Sequence, residues 1–101
     1  MLKEKNFLLF LLNTEVKQSY ALLSTLTSTQ ALSLQEICRN LVNNTFPLTD
    51  KEIRRLTPYK PIIKSINKSA IKQKKRLIKN KKIKVYKILK ILEGRLMEII
   101  S

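Results

Sequence analysis

The sequence predicts an all-α fold, a small bundle of about five to six short helices with a longer basic amphipathic helix at its C-terminal end. Three observations predict it. Leu and Lys, both good helix formers, are abundant, while one Gly and three Pro in 101 residues leave few breaks. Apolar residues recur at helical rather than alternating spacing through the long segments. Two capping boxes are written into the chain, Thr27 with Gln30 and Thr49 with Glu52, each a hydroxyl followed three positions later by a side chain that reaches back to the cap.

The elements follow in order. Phe7 to Leu12 is an apolar run of six, too short for a membrane span or a signal-peptide core, and reads as a buried first helix. A short membrane-contacting or partner-contacting segment is the alternative there. Glu15 to Leu26 puts Val16, Tyr20, Leu23 and Leu26 on one helical face, with Thr14 as the expected N-cap. The Thr27 box opens a helix that carries Leu34, Ile37, Cys38, Leu41 and Val42. Asn43 and Asn44 end it and Pro47 follows. The Thr49 box opens a short helix with Ile53 and Leu56 expected inward, and Arg54 and Arg55 outward.

Thr57 before Pro58 reads as an N-cap with proline at the first helical position, and Pro61 still lies in the first turn. Ile62, Ile63 and Ile66 form the apolar face of that helix. Ser69 is the expected cap of the next piece, which holds Ile71, Leu77 and Ile78. Asn80 to Lys82 reads as a break, and one final helix is expected over residues 83–100. In it Val85, Leu89, Leu92, Leu96 and Ile99 follow 4-3-4-3 spacing, widened by Ile88. That seam packs back onto the front of the chain or, alternatively, mediates self-association.

The formal net charge is +14, from 21 Lys and Arg against 7 Asp and Glu. It is unevenly placed. Residues 1–59 carry seven basic and five acidic groups, net +2, whereas residues 60–101 carry fourteen and two, net +12. A single domain over 1–101 is expected, with a near-neutral helical module over 1–59 and a basic helical region over 60–101. No acid occurs between Lys60 and Lys90.

Composition also narrows the chemistry. No histidine is present, which removes the commonest general base and metal ligand, and Cys38 is the one thiol. Without a multi-cysteine site, a glycine-rich phosphate loop or a paired-carboxylate setting, neither an enzyme nor a cofactor or metal is expected. Cys38 reads as a small buried hydrophobe. The 44% hydrophobic fraction separates the chain from disordered basic tails.

The candidate binding residues are therefore Lys60, Lys64, Lys68, Lys72, Lys74, Lys75, Arg76, Lys79, Lys81, Lys82, Lys84, Lys87 and Lys90. Such a run calls for a polyanion, and nucleic acid is the favoured partner. Lysine is a point charge without the arginine fork, so backbone contact without sequence preference is expected over base readout. Tyr59 and Tyr86 are the only aromatics in or beside the run. Tyrosine beside Ile and Leu is more often core than a stacking platform, which favours a duplex over single strands. Lysine contacts to phosphate are common to DNA and RNA, and duplex DNA is the favoured partner over RNA. The other readings are a solvated lysine face, an acidic protein partner, a basic amphipathic helix lying on anionic lipid, and a structural component of a ribonucleoprotein particle such as an organellar ribosome.

An ordered set of segments resembles the small basic proteins of Polinton (Maverick) elements and adintoviruses. The set runs Ala21-Leu22-Leu23, Gln30-Ala31-Leu32, Leu34-Gln35-Glu36-Ile37-Cys38-Arg39-Asn40-Leu41, Pro47-Leu48-Thr49, and then the lysine-rich stretch to Ile78. The resemblance covers about residues 20–80 and implies a viral core protein that condenses a packaged genome, located in the nucleus or the virion. Where that pattern often continues into Gly-Gly, this chain reads Lys81-Lys82-Ile83-Lys84-Val85, so maturation cleavage is not part of the expectation.

Overall fold

The computed structural model describes residues 4–100 and the side chains of 4–98. Among the described residues the chain is all-α, with eight α-helices, one 3-10 turn and no strand. They are α1 (Lys5–Asn13), α2 (Val16–Ser24), α3 (Ser28–Val42), α4 (Asp50–Leu56), the 3-10 turn Thr57–Tyr59, α5 (Lys60–Lys68), α6 (Ile71–Asn80), α7 (Lys82–Ile91) and α8 (Glu93–Ile100).

Both capping boxes close as their spacing dictates. Thr27 Oγ1 accepts from the Gln30 backbone N–H at 3.1 Å and the Thr27 N–H donates to Gln30 Oε1 at 3.0 Å. Thr49 and Glu52 repeat the pair at 3.2 and 2.9 Å. Asn44 takes the left-handed conformation, φ 57°, that ends α3.

Three other expected caps are corrected, each for a local reason. Glu15, not Thr14, holds the extended cap position of α2. The Thr14 hydroxyl is one residue too early to reach the orphan donors, and it donates to Gln18 Oε1 instead. Thr57 has helical backbone because α4 runs without a gap into the 3-10 turn, and its hydroxyl donates back to the Ile53 carbonyl at 2.9 Å. Ser69 likewise turns back to the Ser65 carbonyl at 2.6 Å, leaving extended Ala70 as the cap of α6.

The core is assembled around α2 and α3. Helix α3 packs on α5 and α6, α2 packs on α1, α6 and α7, α4 packs on α7, and α8 returns to α1. Leu23, Ala31, Leu34, Ile37, Ile66, Ile78, Leu92 and Leu96 are among the side chains this arrangement buries. Val16 and Ile53, expected inward, are exposed. Two polar ties cross the core. The Ser19 hydroxyl donates to the Leu11 carbonyl at 3.0 Å, closing α1 onto α2, and Gln35 Nε2 donates to the Asn67 carbonyl at 2.7 Å, fixing the end of α5 to α3.

The final helix expected over 83–100 divides at Leu92, whose ψ of 0° redirects the chain so that α8 reaches α1. Gly94, a weak helix former, follows the break. Val85, Ile88, Leu89, Leu92 and Leu96 are all buried in the chain's own core. Four of the five seam residues, Val85, Leu89, Leu92 and Leu96, thus pack onto the front of their own chain, against α1, α2 and α4, the first of the two expected arrangements. The Ile99 side chain lies outside the described residues.

Glu52 gives a test of how α4 is held. The Thr49 backbone N–H holds its carboxyl below the usual value, partial burial opposes this, and the Thr49 hydroxyl and the Arg95 guanidinium, 3.5 Å away, add to the lowering. A lowered folded pKa contributes stability that is complete above the unfolded value, about 4.3, and is lost as pH falls through the folded value. Glu52→Gln preserves the reciprocal bond, as Gln30 does in α3, and removes the charge. Its cost at pH 7 is at most about 1 kcal/mol. Thermal unfolding followed by circular dichroism at pH 7 and pH 3 should show a smaller cost in acid, whereas a cost equal at both values contradicts the charge assignment.

Candidate nucleic-acid interface

Helices α5, α6 and α7 bring the acid-free stretch to the surface by burying one stripe each. On α5, Ile63 and Ile66 turn inward while Lys60, Lys64 and Lys68 are exposed. On α6, Ile78 is inward while Lys72, Arg76 and Lys79 are exposed. On α7, Val85, Ile88 and Leu89 are inward while Lys84 and Lys87 are exposed, and Lys81 is exposed at the break before it. Nine of the thirteen expected residues thus face solvent, with Lys75 and Lys82 half-buried. Extended backbone at Ser69 and Ala70 separates Lys68 from Lys72, so the four-residue stacking of lysines runs within helices and not as one continuous column.

Packing sets two of the thirteen apart. Lys74 is 2% exposed, its side chain laid into the fold, so it adds almost no surface to the array. It lies three residues before half-buried Leu77 and four before buried Ile78, on the inward face of α6. Burial pulls its pKa below that of an ordinary lysine, with the Cys38 sulfur opposing the shift and the Arg39 guanidinium, also on α3, reinforcing it. Lys90, about a third exposed, is tied to its own chain. Its ammonium donates to the Leu12 carbonyl and to Glu93 Oε2, both at 3.1 Å, so it caps the C-terminal end of α1 from across the chain. Partial burial works against its charged form, but the bond and the charge of Glu93, with Tyr86 adding to them, outweigh that and its pKa is raised. Lys90 forms the one ion pair of the thirteen among the described residues.

Sequence reasoning did not connect the aromatic residues to the surface. Tyr59 and Tyr86 are both half-buried and packed against the core, yet together they line an open cleft of about 300 Å³ with Arg55, Pro58, Lys87, Lys90 and Ile91. Arg55 comes from α4, and only the packing of α4 on α7 places it there. Tyr86 meets Tyr20 edge to face at 5.6 Å between centroids, and the Lys90 ammonium lies 5.7 Å from the Tyr86 centroid. A second depression of about 280 Å³ has a mainly apolar lining, including Leu41, Leu48, Ile53 and Ile63, with Lys60 and Lys64 also along it.

Burial pushes the Cys38 thiol up to about 12, against the pull of the Lys74 ammonium, so it remains a protonated core side chain at neutral pH. No helix is long and apolar enough to cross a membrane among the described residues.

Lys74 separates burial from binding. Because its folded pKa is lowered, the unfolded chain binds more protons between the folded and unfolded values, and stability from this group rises with pH across that interval. Lys74→Met removes the buried charge while keeping the volume. It should raise stability at pH 7. Urea unfolding from pH 7 to pH 10 should show the advantage shrinking as pH rises, and a Met variant less stable than the parent at pH 7 contradicts the reading.

Comparisons of the chain with protein-family models, with curated proteins and with solved structures give no match.

Proposed function

We propose that the protein binds nucleic acid through the phosphate backbone, without strong sequence preference, on the exposed lysine faces of α5, α6 and α7, with duplex DNA as the main partner. One observation carries the reading. Nine exposed cations lie in a stretch without a single acid, on helices anchored by buried Ile, Leu and Val, and none of the nine is in an ion pair among the described residues. A charge array on a folded scaffold is positioned before it meets its partner, so less side-chain and backbone freedom is lost on binding than from a disordered tail.

The same packing argues against a lipid partner. An interfacial helix needs its apolar face for the acyl boundary, and Val85, Leu89, Leu92 and Leu96 have theirs inside the core. Condensation of a viral or mobile-element genome is the finer form of the proposal and rests on the resemblance to Polinton and adintovirus proteins.

The test is a salt titration of duplex binding. Lys64→Gln, Lys68→Gln, Lys72→Gln and Arg76→Gln combined should weaken binding equally across DNA sequences and reduce the log K against log salt slope by up to about four. Lys74→Met should leave affinity and slope unchanged. An unaltered slope in the fourfold variant refutes phosphate contact by these helices.

A further inference from the structure

The cleft between α4 and α7 differs chemically from the lysine faces beside it. It combines two tyrosines with cations, the pairing that recurs where single-stranded nucleic acid is bound, because every base has a π-face and every nucleotide a phosphate. Its volume of about 300 Å³ is at the small end of the roughly 300–1,000 Å³ typical of small-molecule sites, which suits one base and its sugar and not a run of stacked bases.

The groups in the cleft have separable parts. Tyr86 is fixed from both sides, by the edge-to-face contact with Tyr20 and by the Lys90 ammonium, which Leu12 and Glu93 hold in turn. It is a rigid wall. Tyr59 makes no ring or cation contact among the described residues and is half-buried, so its ring is the available platform. Arg55 and Lys87 are exposed and in no ion pair among the described residues. They are left to hold phosphate.

We infer that this cleft takes one unpaired nucleobase of a nucleic-acid strand, stacked on Tyr59 against the Tyr86 wall, with the adjoining phosphate held by Arg55 and Lys87. The inference rests on the nucleic-acid reading and sharpens it: the preferred partner is a duplex that carries an unpaired nucleotide, at a bulge, loop or end. Lys87 belongs both to the cleft and to the acid-free stretch, and Lys60 directly follows Tyr59. A strand leaving the cleft therefore meets the lysines of α5 and α7. A free nucleotide fits less well, since the cleft has two uncommitted cations and no glycine-rich cradle of backbone N–H groups for a polyphosphate.

The experiment uses the full chain and three labelled DNA duplexes of one sequence, fully paired, with a single-thymine bulge, and with an abasic bulge, compared by fluorescence anisotropy. The thymine bulge should bind about tenfold or more tightly than the other two. Tyr59→Ala should erase that preference and leave paired-duplex affinity as it was, and Tyr59→Phe should keep it. Independently of any variant, the thymine bulge should quench the tyrosine emission of the parent protein, which has no tryptophan, and the abasic bulge should not. Equal affinity for all three duplexes, each weakened by the fourfold lysine and arginine variant, overturns the cleft while the backbone reading stands. Failure to bind any of the three overturns both. Quenching by thymidine monophosphate as strong as by the bulged duplex at equal concentration overturns the assignment to a strand.

Discussion

The stripe of Ile, Leu and Val along α5, α6 and α7 is what lets this chain display its charge and still fold. Ile63, Ile66, Ile78, Val85, Ile88 and Leu89 bury against α2, α3 and α4. Each such side chain is worth about 1.5–3 kcal/mol, whereas a like-charge pair at helical spacing costs about 0.2–0.5 kcal/mol. Burial of a single isoleucine therefore outweighs several lysine repulsions. The lysines can be crowded because the opposite face of each helix is not exposed.

The signals that sequence carried well were those complete within one turn. A hydroxyl and a Gln or Glu three residues on need only local backbone to meet, and both boxes close. The apolar stripes of α3 and α5 were legible for the same reason, being repeated over several positions. Thr57 and Ser69 misled because a hydroxyl has two local uses, capping the next helix or bonding back to the carbonyl four residues earlier, and which one wins depends on whether the chain leaves the helical conformation there. Val16, at the first position of α2, and Ile53, on the seven-residue α4, were placed inward by helical spacing alone, and packing leaves both exposed. The division at Leu92 depends on α1 as a distant partner of α8, which no local pattern specifies.

The candidate site shows the same limit. Residue type said that thirteen cations were equivalent, and tertiary packing gave them different fates. Lys74 sits where helical phase demands an apolar residue, three and four positions from Leu77 and Ile78, and its spacing was the signal that its charge concealed. Lys90 became a cap for α1, from 78 residues away in sequence, because its ammonium ends beside the Leu12 carbonyl. The cleft of Tyr59, Tyr86 and Arg55 exists only after α4 has met α7. Sequence proximity could suggest the first two, and nothing in it pointed to the third.

Ionic strength then acts on this molecule in two opposed ways, which separates its fold from its binding. In the free protein the exposed lysines repel one another through solvent, and salt shortens that repulsion to a Debye length of about 8 Å at physiological strength, so added salt favours the folded state. Binding to a phosphate backbone draws its free energy largely from released counterions, so added salt disfavours the complex. A bound strand does for the lysines what salt does, only locally and more completely, and by mass action anything that binds the folded chain alone also stabilises it. The burial of Lys74 lies outside this exchange, being fixed by the core, whereas the part-exposed Lys90–Glu93 pair weakens with salt as any surface ion pair does. The stacking of a base on Tyr59 would be nearly salt-independent, which gives the cleft its largest share of the affinity at just those salt concentrations where the lysine faces have released the backbone.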